Sequence, residues 1–428
     1  MSQKPTSLNA SVVLLIAVLG VGTARPFGAP RPPDIPFRTQ MLDGGANESA
    51  AVADINRDGR LDIVSGENWY EAPAWTKHPF RELGFSGNYI DNFSDLPVDV
   101  DGDGYVDIAS VTWFAKKISW FRNPGKGQGR WVEAPINSGF NIEFAILADL
   151  DNDGKAQEIV AQENGTGQSW YEVKDKAWVK HVVSDRSYGH GIGAGDVNKD
   201  GRNDILTPRG WLEAPADPRA AGNWTYHPAW ESANVVITQR EAPGTAPPAP
   251  NAPPRIAELG FMHVLDVNGD GRNDVVTAAG HDFGVFWFEQ GPDEKWTKRM
   301  IDNAWSQGHA STMIDLNGDG RLDLVTGKRF MAHNGSDPGE REPLGVYWYE
   351  YRSASAPGDQ SGASARQAAT VEWIRHLIDF GGRMGGGMQI PVVDIDGDGD
   401  LDVVCAGKSG LFLAENLTKG PRTRATSR

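Results

Sequence analysis

The segment DLNGDGRLDLV, Asp315 to Val325, occurs in seven close variants along the 428-residue chain, and most other readings follow from it. The others are DINRDGRLDIV from Asp54, DVDGDGYVDIA from Asp99, DLDNDGKAQEIV from Asp149, DVNKDGRNDIL from Asp196, DVNGDGRNDVV from Asp266 and DIDGDGDLDVV from Asp394. In the first-quoted copy, Asp315, Asn317 and Asp319 place oxygens at alternate positions. Gly320 permits a sharp turn and Asp323 returns a further carboxylate, a donor set suited to a hard cation such as Ca²⁺ and unsuited to zinc. The equivalent groups are Asp54, Asn56, Asp58 and Asp62; Asp99, Asp101, Asp103 and Asp107; Asp196, Asn198, Asp200 and Asp204; Asp266, Asn268, Asp270 and Asp274; and Asp394, Asp396, Asp398 and Asp402. The third copy offers Asp149, Asp151 and Asp153, then carries one extra residue and Glu158 in place of Asp, so its metal site has the least support. Six or seven structural Ca²⁺ sites are expected.

An EF-hand shares this opening but needs Glu at the twelfth position and flanking helices. Here the twelfth residues are Ser65, Ser110, Val160, Thr207, Thr277, Thr326 and Cys405, in β-branched surroundings, so the loops join strands. Hairpin chemistry alone asks for Asp-Gly, not for the preceding Asp-x-Asn/Asp.

Each repeat reads as four strands. In the third, Phe144 to Ala148 enters the loop, Glu158 to Gln162 leaves it, Ser169 to Val173 carries Trp170-Tyr171-Glu172, and Trp178 to Val183 closes the unit. The aromatic strand recurs at Trp69, Trp120, Trp211, Trp287, Trp348 and Phe412. Four-stranded units with a period in the forties are β-propeller blades. The last unit stops after its third strand, and Phe37 to Gly45 reads like the fourth strand of the sixth, Ile374 to Gly382. The sequence therefore predicts an all-β, seven-bladed β-propeller closed by the N-terminal strand in the last blade.

Loop-to-loop intervals of 45, 50, 47, 70, 49 and 79 residues place insertions at 238–257, rich in Pro and Ala, and at 352–370, rich in Ser, Ala and Gly. Residues 1–24, with Lys4, an apolar run from Val12 to Val21 and small residues ending at Ala24, have the layout of a signal peptide. Residues 25–36 form a linker, 37–417 the propeller and 418–428 a polar tail. The run is short for a membrane span, no cysteine follows it, and a secreted or periplasmic protein is expected. The single cysteine, Cys405, makes no internal disulfide. The formal charge of −16 argues against nucleic-acid partners, although six bound Ca²⁺ would cancel most of it. Oligomeric state is not encoded in any of these features.

The loops and their spacing resemble the FG-GAP/VCBS repeat propellers, which are similar to the integrin alpha-chain head in fold and in Ca²⁺ loops. The resemblance covers about residues 37 to 417 and implies fold, not activity.

Histidines sort by the repeat. His78, His181, His227 and His376 lie in a recurring outer-strand Trp-x-x-His and read as scaffold. His190, His263, His281, His309 and His333 break it. His190 and His309 stand six residues before their metal loops, each after Gly, and Glu48 and Glu143 hold the same position in other repeats. That position is the channel mouth opposite the Ca²⁺ loops. His281, His333, Lys328 and Arg329 fall in hairpins between second and third strands on that face, with Asn92, Asp95, Arg209, Asp282 and Gln389 as further candidates. Such a funnel with Trp and Tyr suits a carbohydrate or another polyhydroxylated molecule. A channel metal held by His190, His309 and His333 lacks any local ligand spacing.

The Gly-His before an inner strand and the hairpin Thr326-Gly327-Lys328-Arg329…His333-Asn334-Gly335…Asp337-Pro338-Gly339 resemble the propeller domain of aldos-2-ulose dehydratases, without room for their cupin domains. The resemblance implies a carbon–oxygen lyase removing water from a keto-sugar. His309 or His190 would be base, Arg329, Lys328 or a metal would stabilise the enolate, and a second group such as His333 or Glu143 would protonate the leaving hydroxyl. The competing reading is a non-catalytic carbohydrate- or protein-binding module. Titratable residues that do not repeat favour catalysis, since a lectin would repeat its site blade by blade.

Overall fold

A computed structural model describes residues 33–165, 167–220, 222–236, 255–354 and 370–419. The predicted signal peptide and most of the linker, the bulk of both insertions and the end of the tail lie outside them. Among the described residues the chain is all-β, with one short 3₁₀ turn at Pro292–Glu294. Five four-stranded sheets are accompanied by one eight-stranded sheet and a two-stranded ribbon.

The first sheet shows the common plan: Ala50–Ala53, Asp62–Ser65, Asn68–Glu71 and Thr76–Pro79 run antiparallel in sequence order. Its second strand is wholly buried and its outermost is largely exposed, as in a sheet stacked radially between neighbours. The eight-stranded sheet is two such units joined through a short parallel contact between inner strands Ile192–Gly195 and Phe261–Leu265. Residues from these two, from the inner strands Ala50–Ala53, Ser94–Val98, Ala145–Ala148 and Ser311–Ile314, and from Gln389–Val393 surround one central cavity of about 520 Å³. The strand before each acidic loop is therefore the channel-lining one, as the repeat predicts.

The outer histidines have a specific task. His78, His181, His227 and His376 stack on Trp69, Trp170, Trp211 and Trp348 at 4.1–4.3 Å. Their Nε2 atoms meet Glu71, Glu172, Glu213 and Glu350 at 2.7–3.1 Å. Glu71 and Glu213 in turn accept the side-chain amides of Asn56 and Asn198, so the aromatic strand orients the acidic loop. Arg299 replaces His in the fifth repeat and binds Glu289 at 2.7 Å, while Asn268 donates to the same carboxylate.

Phe37–Asp43 pairs antiparallel with Gly410–Asn416, from Phe37 opposite Asn416 to Asp43 opposite Leu411. The N-terminal segment thus fills the outer place in the last sheet. The linker boundary at 36 is too late, because Asp34 already meets His376 Nδ1 at 2.6 Å and Ile35 packs on the core. Both insertion boundaries also move. Ile256 bridges Val235, and Arg352–Ala354 pair with Glu372–Thr370, so strand pairing continues into the residues assigned to the second insertion.

Deleting the chain through Asp43 should leave Leu411 and Leu413 on an open edge. The truncated protein is expected to melt at least ~5 °C lower or without a single transition; an unchanged calorimetric trace would show the pairing to be dispensable.

Candidate functional site at the channel mouth

At one end of the inner strands the seven acidic loops are organised by their own backbone. In the first, Asp54 accepts the amides of Asp58 and Gly59, and Asn56 and Asp58 accept those two residues ahead, fixing the side-chain oxygens inward. The last acid does more than the sequence suggests. Asp62 accepts Ile55 N at 3.0 Å and Ala72 N at 2.9 Å, pinning the inner strand's exit to the end of the third strand. Asp107, Asp204, Asp274, Asp323 and Asp402 do the same. Each oxygen keeps a second lone pair for a cation.

Carboxylates of Asp99, Asp101 and Asp107, of Asp149, Asp151 and Glu158, and of Asp394, Asp396 and Asp402 come within 4.8 Å of one another. The third loop, least supported by sequence, also brings its carboxylates together: its extra residue and longer Glu158 compensate, and Glu158 accepts Leu150 N at 3.0 Å, one of the two amides that the closing Asp accepts in the other repeats. Asp266 Oδ1 and Asp394 Oδ1 are buried without a partner. Orphaned oxygens in an all-oxygen set fit Ca²⁺.

At the other end the non-repeating residues meet. Glu48, Glu143, His190 and His309 each precede an inner strand, and a β-rich ring brings such positions to one mouth. Gly191, at φ +122°, occupies a backbone region that favours glycine, and a Cβ on Gly280 would lie 2.9 Å from His190 Cε1. These glycines let His190 lie between adjacent repeats.

Arg329 is fully buried between two acids, its Nε 3.0 Å from Glu48 and its Nη1 2.6 Å from Glu143, with its Nη2 unpartnered. Lys408 stands 3.3 Å from Glu48. The other Glu143 oxygen lies 2.9 Å from His190 Nε2. Burial alone would raise the Glu143 carboxyl, but His190, Arg329 and His309 hold it well below the usual range. Burial opposes charge on His190, yet Glu143 lifts that imidazole above its ordinary value.

His190 Nδ1 donates to the Leu259 carbonyl at 2.9 Å, so only Nε2 faces Glu143 and, at 2.9 Å, His281 Nε2. His281 donates through Nδ1 to Asp337 at 2.8 Å, and His333 meets the same carboxylate at 2.9 Å. The two rings stack in parallel at 4.1 Å. Asp337 therefore holds both imidazoles by Nδ1, which turns His281 Nε2 toward His190 and leaves His333 Nε2 facing the cavity. Its own carboxyl, which burial would raise, is lowered by the two histidines. Glu340 accepts the backbone amides of His333 and Asp337 and fixes this hairpin.

A cavity of about 340 Å³ lies above, lined by Glu143, His190, His281, Arg329 and His333, by Tyr89, Phe93, Trp113 and Phe114 on an aromatic side, and by Gln162, Asn164 and Glu258. This is a small-molecule volume with few polar groups against apolar walls.

Of the predicted catalytic residues, Glu143, His190, Arg329 and His333 line this cavity. His309 does not: it is completely buried behind the wall, and burial followed by Arg329 pushes its imidazole well below the usual value. Lys328 also departs: the strand ends at Gly327, and just beyond it the Lys328 ammonium turns to Ser306 and Gly339 O instead. Asn92 and Asp95 belong to a buried network with Ser49 and Arg81, Gln389 clamps the Asp95 backbone, Arg209 pairs with Glu231, and Asp282 with Arg255. His263 binds Ser311 at 2.9 Å beside the central cavity, and burial pushes it down to about 4. Asp337 and the aromatic wall are additions from the structure. The i, i+4 spacing of His333 and Asp337 within the irregular hairpin is the one signal that could have exposed the carboxylate.

The FG-GAP-like repeat family matches residues 99–160 and 266–326, and the chain carries FG-GAP-like repeats in an all-β β-propeller. A search of curated proteins found no match. Among solved structures, BBS1N in complex with ARL6DN is 9% identical, with a TM-score of 0.50, covering 90% of this chain and 96% of that one. An Agrocybe aegerita lectin, studied for recognition of non-reducing terminal N-acetylglucosamine, is 15% identical with a TM-score of 0.41, over 77% of this chain and 80% of that one. The Myceliophthora thermophila Cps50 (Swd1) β-propeller domain is 10% identical with a TM-score of 0.46, over 90% and 100%. At these identities the likeness concerns fold alone. Among the described residues no helix is long and apolar enough to cross a membrane.

Proposed function

We propose that this is an exported, Ca²⁺-loaded propeller of seven blades whose channel-mouth cavity eliminates water from a keto-sugar. Seven acidic loops and seven inner strands around one cavity support the blade count, the eight-stranded sheet dividing into two blades at its short parallel contact. The layout of residues 1–24 supports export, to a compartment where millimolar Ca²⁺ fills weak loops.

The observation that carries the chemistry is the carboxylate of Asp337 oriented on His333, whose ring is about half exposed at the cavity. An imidazole fixed by a carboxylate on Nδ1 presents Nε2 as a proton acceptor. Its base strength is raised by the Asp337 hydrogen bond. A sugar lying against Trp113 and Phe114 would lose the proton next to its carbonyl to His333. The C–H electron pair becomes the new carbon–carbon double bond, and the hydroxyl on the following carbon departs as water. Arg329, at the cavity wall, supplies positive charge beside the developing enolate oxygen. Tyr89, whose hydroxyl burial pushes up to about 12, is protonated in the free site; it gives that proton to the departing hydroxyl to form water, and the proton taken by His333 restores the phenol by way of solvent.

Incubation with 2-keto and 3-keto sugars should produce an ultraviolet-absorbing enone, and His333→Ala should slow it ~10²-fold or more. Equal rates in both proteins would remove His333 as base. Saturable sugar binding without enone in the wild type would instead establish the non-catalytic binding module.

A further inference from the structure

We propose that Glu143, His190, His281 and His309 form a mononuclear transition-metal site, with Zn²⁺ as the reference ion, beneath the cavity. The inference goes beyond the elimination reading and does not require it. One ligand atom from each residue lies within 4.8 Å of every other. The residues come from separate repeats: Glu143, His190 and His309 precede three inner strands, and His281 sits in a hairpin between them. Local spacing therefore could not reveal the set, and a grouping of His190, His309 and His333 selects the wrong third histidine. His333 lies outside the four, stacked on His281 and bound to Asp337.

Three features point to a cation. Each histidine turns Nδ1 outward to an acceptor: Leu259 O at 2.9 Å for His190, Asp337 at 2.8 Å for His281 and, at a longer 3.5 Å, Gln307 O for His309. Outer acceptors of this kind fix the tautomer of metal-bound imidazoles and aim Nε2 at the ion. The second feature is His309 Nε2, fully buried and without any partner, 3.9 Å from a Glu143 oxygen. The third is spacing. His190 Nε2 lies 2.9 Å from both Glu143 and His281 Nε2. Ligands at Zn–N distances of 2.0–2.1 Å in a tetrahedron are separated by about 3.3 Å, between the 2.9 and 3.9 Å found here. Three nitrogens and one carboxylate exclude Ca²⁺ and Mg²⁺ as preferred occupants and suit Zn²⁺, Mn²⁺, Fe²⁺ or Co²⁺. Glu143, His190 and His281 also line the cavity, so the ion would be open to a ligand oxygen from that side.

The test is titration of chelator-stripped full-length protein with Zn²⁺ by calorimetry and with Co²⁺ by visible absorption, both in saturating Ca²⁺ so that the acidic loops are filled. One equivalent per chain is expected, with cobalt bands of nitrogen-rich, four- or five-coordinate character. His281→Ala and Glu143→Gln should lose that equivalent, Asp337→Asn should weaken it ~10–100-fold, and His78→Ala should retain it. Thermal melts of each variant in Ca²⁺ check folding, and the outer-acceptor variant leaves all four ligands in place. No saturable equivalent in the wild type, or undiminished binding in folded His281→Ala and Glu143→Gln, would overturn the site. Because the readout is metal stoichiometry, failure to turn over a keto-sugar leaves the result unaffected.

Discussion

Arg329→Ala is expected to cost ~3–5 kcal/mol of folding stability, because it strands two buried carboxylates. Arg329 is 1% exposed and Glu48 fully buried, so neither water nor salt can replace the guanidinium. Burial disfavours its charge, but Glu48 and Glu143 raise its pKa and keep it ionised. After its removal Lys408 still faces Glu48, 3.3 Å away, and His190 still faces Glu143, so the loss falls short of two isolated buried charges. The experiment is urea unfolding of protein stripped of transition metal, in Ca²⁺, for wild type, Arg329→Ala, and Arg329→Ala with Glu48→Gln and Glu143→Gln. The triple variant should recover at least half of the loss, since neutral amides need no counter-ion. A loss below ~1 kcal/mol, typical of a solvent-screened pair, would mean that water reaches this cluster.

The repeat made the strands legible because a loop fixed at both ends dictates which residues precede and follow it. Glu48, Glu143, His190 and His309 share one place relative to seven similar loops, and a ring of similar sheets brings such places to one mouth. That reasoning stops at the hairpins. The strand Asp323–Gly327 ends just before Lys328 and Arg329, so its alternation does not say that Arg329 reaches the cavity while Lys328 turns to Ser306 and Gly339. Irregular hairpins carry no period at all. The joint hold of Asp337 on His281 and His333 was therefore hidden, as was the meeting of Tyr89 and Trp113 at the cavity wall. The third acidic loop taught the reverse lesson: one inserted residue and one longer side chain cancel in space although they break the pattern in sequence. The depth of His309 was hidden too, because a residue at a channel mouth can point into the wall as easily as into the opening.

Chelating Ca²⁺ should lower the melting temperature, and the difference should widen from acid to neutral pH. In the metal-free loops the last acids are pushed up by burial and then by neighbouring carboxylates: Asp62 and Asp107 to about 6, Glu158, Asp204, Asp274, Asp323 and Asp402 to about 7. An unfolded carboxyl titrates near 4. Between about pH 4 and 7 the folded metal-free chain therefore binds more protons than the unfolded one. The stability these protons confer is complete below pH 4 and is lost as the pH rises through 6 to 7. Ca²⁺ supplies positive charge to the same carboxylates in their ionised form, and each site filled at 100 times its Kd adds ~2.7 kcal/mol. In chelator the melting temperature should fall steadily from pH 5 to 7.5, whereas in millimolar Ca²⁺ it should remain high across that range. Because the loops sit at the far ends of the inner strands from the histidine cluster, His281→Ala should leave this calcium-dependent difference intact. Superimposable melts with and without Ca²⁺ at pH 7.5 would mean that the carboxylates are neutralised by protons and nearby arginines alone.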